Sequence, residues 1–81
     1  MKTEELRKKI ILDILDEITE QSYLVDSSNR IKDSILFFKK QLIENDYILH
    51  LRNLISILEN NYWFEDGYLR LMLNKLKTIK I

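Results

Sequence analysis

His50 is the one imidazole in the chain, and Asp13, Asp16, Glu17 and Glu20 form its densest group of carboxylates. The histidine could act as a general base, and the carboxylates could hold a divalent cation. A catalytic histidine needs a nucleophile or an orienting acid beside it. The chain has no cysteine, and no Ser or Thr stands in a recognised nucleophile motif. By wheel position His50 falls at the edge of an apolar helix face, the place of a partly buried structural histidine. The acids follow one another at helical spacings, as carboxylates do when they line a metal site inside a bundle. Here they lie opposite the apolar stripe of their own segment and therefore face water, and the Glu-x-x-His pattern of di-iron bundles is absent. Phosphate-binding glycine loops, HExxH and helix-turn-helix signatures are absent too. The expectation is a protein with no catalytic residue, no metal site and no cofactor: not an enzyme.

Binding chemistry is better represented. The stretch NNYWFEDGYLRLML, residues 60 to 73, holds the only Trp and the only Gly of the chain, with Tyr62, Phe64 and Tyr68. Trp and Tyr dominate interface energetics because they offer large, stiff, partly polar surfaces. The same rings could instead plug the end of a helical bundle. Three adjacent rings, Tyr62, Trp63 and Phe64, cannot easily all point inward from one short turn, so at least one is expected outside. After Asp66 come Arg70, Lys75, Lys77 and Lys80 with no further acid. If the last helix neighbours the first, these bases can pair with the acids at 13 to 20; if not, they are free for an acidic surface or membrane headgroups.

The elements that position these residues are read from apolar periodicity. A first helix is expected from Thr3 to Gln21, capped by Thr3, with Leu6, Ile10, Ile14 and Ile18 stepping by four and Ile11 and Leu15 beside them. The turn-forming run DSSN at 26 to 29 breaks it. A second helix runs from Arg30 to Glu44 on the stripe Ile31, Ile35, Phe38, Leu42, and the END run at 44 to 46 stops it. A third covers Tyr47 to Asn60, centred on Tyr47, Leu51, Leu54 and Leu58 and flanked by Ile48, Ile55 and Ile57. A fourth runs from Gly67 to Lys80, with Asp66 as cap and Tyr68, Leu69, Met72, Leu76 and Ile79 on one face. Short connections favour antiparallel neighbours, so the fold class is all-α, a small antiparallel four-helix bundle in a single domain. A three-helix variant, continuous through Asn45, is the alternative, because neither Pro nor Gly interrupts there. Leu36 and Ile43 sit off the main stripe of the second helix and form a second seam, suited to a homodimer or a partner helix.

Composition sets the remaining bounds. Fourteen Leu and twelve Ile, with no Ala, Pro or Cys, build a core from long side chains and leave no disulfide to staple it. The lack of residues with GC-rich codons points to an AT-rich genome, such as a low-GC bacterium or its phage. A net charge of zero argues against nucleic acid as the partner. No stretch approaches the roughly 20 apolar residues that span a bilayer. The first apolar run is broken by Asp13, unlike a signal peptide, so a cytoplasmic location is expected, with peripheral membrane contact as the only membrane role.

The run LRKKIILDILDEI, a polar break, and amphipathic helices ending in LRNLISILENNYWFEDGYLRLMLNKLKTI resemble the cytosolic immunity proteins against pediocin-like bacteriocins. Those are small antiparallel four-helix bundles with an aromatic corner before the last helix. The resemblance implies a cytoplasmic protein that guards a membrane sugar-transporter target, with the last helix and its preceding corner as the recognition part. From the residues alone, the expected function is a small helical interaction protein that binds and inhibits or regulates a partner protein, as a phage or plasmid accessory factor. A nucleic-acid-associated regulator using the basic run is a further alternative. The contact residues expected are Tyr62, Trp63, Phe64 and Tyr68 with Arg70, Lys75 and Lys77, and the seam residues Leu36 and Ile43.

Overall fold

Leu, Ile and Phe at alternating steps of four and three produce the four helices of the computed structural model, which describes residues 2–25, 29–44 and 46–79. They are α1 (Lys2–Ser22), α2 (Arg30–Gln41), α3 (Tyr47–Glu59) and α4 (Gly67–Thr78), with one 3-10 turn, Tyr62–Phe64, before the last. Among the described residues there is no strand. None of these helices is long and apolar enough to cross a membrane.

Each helix packs on the ones before and after it in sequence, and α4 closes the ring on α1. Residues from the start of α2 (Arg30, Ile31) share a cleft with the end of α3 (Leu58, Asn60). The start of α4 (Tyr68, Leu69) lies beside Gln21 of α1, and Ile79, after α4, beside Leu6 and Ile10. The helices therefore run antiparallel around the ring, as the short connections require.

The core is the set of buried lines facing the bundle axis: Ile11, Leu15 and Ile18; Ile31, Ile35, Phe38 and Leu42; Tyr47, Leu51, Leu54 and Leu58; Leu69, Met72, Leu73 and Leu76. Phe64 closes one end at 0% exposure. The stripes expected for the second and third helices are buried in full, although Ile57, expected as a flank, is exposed. In α1, Leu6 and Ile10 were expected in the core face and are exposed instead. The reason is geometric: four residues turn the helix by about 400°, so each step of four drifts by about 40°. Three such steps carry Leu6 well round the cylinder from Ile18. The face that is buried follows the mixed spacing Ile11, Leu15, Ile18, Ser22. Ser22, the one buried polar side chain among the described residues, donates to the Thr19 carbonyl at 2.7 Å.

The helix ends also correct expectations. Thr3 lies inside α1, which starts at Lys2, so it is not the cap. Asp46 and Asp66 stand at the N-cap positions of α3 and α4, but neither side chain makes a capping hydrogen bond. The second and third helices are separate, so the three-helix variant does not form. α2 ends at Gln41, and tightened turns follow, with Leu42 N–H donating to Lys39 O at 3.3 Å and Glu44 N–H to Gln41 O at 3.1 Å. The stop run at 26 to 28, Asn45 and Lys80 lie outside the described residues.

Among the described residues, no ion pair joins the acid run of α1 to the base run of α4, although these helices are neighbours. Asp16 binds Lys39 of α2 at 2.6 Å, and Lys77 of α4 binds Glu59 of α3 at 2.5 Å. Such exposed pairs are screened by water and add little to stability. Tyr47 fixes the start of α3 against α1: its ring is 1% exposed, with Lys8 Nζ 4.9 Å above it. Its hydroxyl is enclosed without a well-formed hydrogen bond, with Glu4 and Arg7, themselves paired at 3.2 Å, close by. Burial foremost, and then Glu4, raises the pKa of this phenol.

Candidate partner-binding surfaces

The aromatic corner forms because Asn61 cannot continue α3. Its backbone is extended, and its side-chain oxygen accepts from Trp63 N–H at 2.9 Å, which starts the 3-10 turn. This turn sends three consecutive side chains in different directions. Phe64 enters the core. Trp63 is partly buried and packs on that core. Tyr62 stays outside at 65% exposure, its ring 4.3 Å from Trp63 with the planes tilted by 34°. Phe64 is thus corrected from contact residue to core plug, because no face of its ring is available to a partner. At least one ring of the three was expected outside, and Tyr62 is the exposed one.

Gly67 then redirects the chain into α4 with φ of +78°, a conformation that side-chain-bearing residues adopt at a cost. The redirection brings Trp63 and Tyr68 together with the end of α1. Gln21, Leu24, Val25, Trp63, Asp66 and Tyr68 line an open cleft of about 260 Å³. Leu24 is 79% exposed and Tyr68 about half exposed. Partial burial, and then Glu17 and Glu20, raise the pKa of the Tyr68 phenol. Leu24 escaped the sequence reading because a lone leucine after a helix carries no signal of its own; its position after Tyr23 and before Val25, at the end of an apolar helix, was the available hint.

The basic residues of the expected site divide. Arg70 Nη1 donates weakly to Phe64 O at 3.5 Å, holding α4 to the corner. Lys77 is engaged by Glu59, and its hydrogen bond and charge lower the Glu59 pKa. Lys75 is exposed, and its side chain has no partner among the described residues. The seam residues Leu36 and Ile43 are exposed, Ile43 nearly fully, and lie on α2 and just after it, away from the corner. A second cleft, of about 330 Å³, opens between α2 and α3; Phe38 and Leu54 line it along with Phe37, Ile57 and His50.

His50 is partly buried, and its Nε2 lies 3.3 Å from Glu44 Oε2. With Asp46 the three offer donor atoms within 4.8 Å of one another. A tetrahedral zinc site would need them drawn to about 3.3 Å apart, from metal–ligand distances near 2.0 Å. The spacing Glu-x-Asp-x-x-x-His across a turn is the signal by which the sequence could have disclosed this group. Exposed acids beside a histidine are common at helix starts, and no other feature marks a site here.

Comparison with known proteins adds no relative: no family model matches the chain, and neither a curated protein nor a solved structure matches it.

Proposed function

We propose that this chain is a small non-enzymatic interaction protein that binds and inhibits or regulates a partner protein in the cytoplasm, through its aromatic corner. The observation that carries the reading is the corner cleft, where Leu24, Trp63 and Tyr68 converge beside exposed Tyr62. Leu24, Tyr62 and Tyr68 stay exposed although the four helices have buried a core, and Trp63 packs on that core while still lining the cleft. Rings and a leucine around a concave site, with few polar groups, form the kind of centre on which binding energy concentrates. The basic run fits a nucleic-acid role poorly, because Arg70 and Lys77 are engaged within the bundle and the net charge is zero.

The bacteriocin-immunity reading is a narrower form of the same proposal. Its recognition part would be the last helix and the preceding corner, which is the region of the cleft. The experiment is quantitative affinity capture from the native host with the wild-type chain, Leu24→Asp and Tyr68→Ala. Both positions are exposed, so circular dichroism should be unchanged. A partner held by the wild type and lost by both variants supports the proposal; a partner held equally by all three removes the corner from it. Challenge of a sensitive strain expressing the chain with several pediocin-like peptides tests the narrower form, and absence of protection ends it.

A further inference from the structure

The outer surface of α2 carries its own pattern. At 100° per residue, Asp33, Phe37 and Lys40 fall on a line opposite the buried Ile31, Ile35 and Phe38, with Leu36 alongside. Phe37 is 64% exposed and Leu36 44%. Neither the Asp33 nor the Lys40 side chain has a partner among the described residues, whereas the adjacent Lys39 is bound to Asp16. A helix of twelve residues thus presents an apolar centre with one free acid before it and one free base after it.

We propose that a second copy of this chain covers this face, with α2 packed antiparallel on α2 about a two-fold axis. An axis midway between Leu36 and Phe37 is also midway between Asp33 and Lys40. Antiparallel pairing about it therefore sets Asp33 of each copy opposite Lys40 of the other, with the apolar residues meeting around the axis. Closed two-fold pairing requires this self-complementarity. Parallel pairing in register would set acid on acid and base on base, so the charges select the direction. The α2–α3 cleft opens beside Phe37, at the border of this face. One helix per copy makes a small interface, of the class below about 1,200 Å² that forms transient complexes. The dimer is therefore concentration-dependent. This face is separate from the aromatic corner, and the proposal stands or falls independently of it.

Sedimentation equilibrium on the purified chain tests it. The mass should rise with concentration from 9.8 kDa toward twice that value. Asp33→Lys or Lys40→Asp alone places like charges at both contacts and should weaken the dimer roughly tenfold. Mixing the two reversed variants, or combining both changes in one chain, should restore it, and Phe37→Asp should leave only monomer. All three positions are exposed, and circular dichroism verifies that each variant folds. A wild type that stays at 9.8 kDa up to about 1 mM overturns the proposal. So do reversed variants that dimerise like the wild type, or a mixture that regains nothing.

Discussion

Truncating Phe64 to alanine measures how much of the aromatic corner belongs to the core. The side chain is 0% exposed and closes the end of the bundle beneath partly buried Trp63. Loss of a buried phenylalanine ring costs about 3–5 kcal/mol, depending on how far the site collapses. Phe64 lies at an end of the bundle, in a short turn that can settle inward, which places the expected cost near the lower figure, about 3 kcal/mol. A chain of this length has about 4–12 kcal/mol of stability in all, so the loss takes a quarter of it or more. At about 4–8 °C per kcal/mol, the melting midpoint should fall by about 12–24 °C. Thermal and urea melts by far-ultraviolet circular dichroism give the value, with Trp63 fluorescence as an independent local probe. The companion variant Tyr62→Ala, at a ring 65% exposed, should change stability by less than about 0.5 kcal/mol. A cost under about 1 kcal/mol for Phe64→Ala, or an equal cost for Tyr62→Ala, would refute the core role of this ring.

Tyr47→Phe removes a buried hydroxyl that lacks a good partner and keeps the ring; the expected change lies between neutral and about 1 kcal/mol of stabilisation by urea titration. Because burial raises the Tyr47 pKa, its neutral form contributes stability that is full below the unfolded pKa of about 10 and lost as pH rises through the folded value. The same variant should therefore lose part of the alkaline decline, read as urea midpoints against pH. Glu59 behaves oppositely: Lys77 lowers its pKa, so its contribution is present above the unfolded carboxylate pKa and lost as pH falls through the folded one. Glu59→Gln should flatten that part of the acid decline, and an unchanged acid profile would show the ion pair to be without effect in solution. Gly67→Ala should cost about 1–2 kcal/mol in a thermal melt. The cause is the backbone at φ +78°, since an added Cβ meets nothing within 4 Å.

The stripes of α2 and α3 were legible because each is a short helix with one mixed four-and-three line, which fixes a single face. α1 was less so: its apolar positions also form a strict run of fours, and that run winds off the face its neighbours cover. The corner was legible as a place and not as an arrangement. Which ring enters the core depends on the 3-10 turn set by Asn61, and no periodicity encodes that. The cap positions of α3 and α4 were legible, since Asp46 and Asp66 stand where expected, but their bonding was not: neither side chain makes a capping hydrogen bond. The partners of the charged runs were not legible, because the bonds form at single positions on other helices, Asp16 with Lys39 and Glu59 with Lys77. The Glu44–Asp46–His50 group spans the break between two helices, which wheel reasoning treats separately.

The ring of helices has a kinetic corollary. Three of the ring's four helix–helix interfaces join helices consecutive in sequence, and the fourth, α1–α4, closes a long loop. Loop-closure entropy is therefore small for most of the assembly, which places the chain among low-contact-order helical proteins that fold in microseconds to milliseconds. The α1–α4 seam, formed against the largest entropic cost, should be the last to zip.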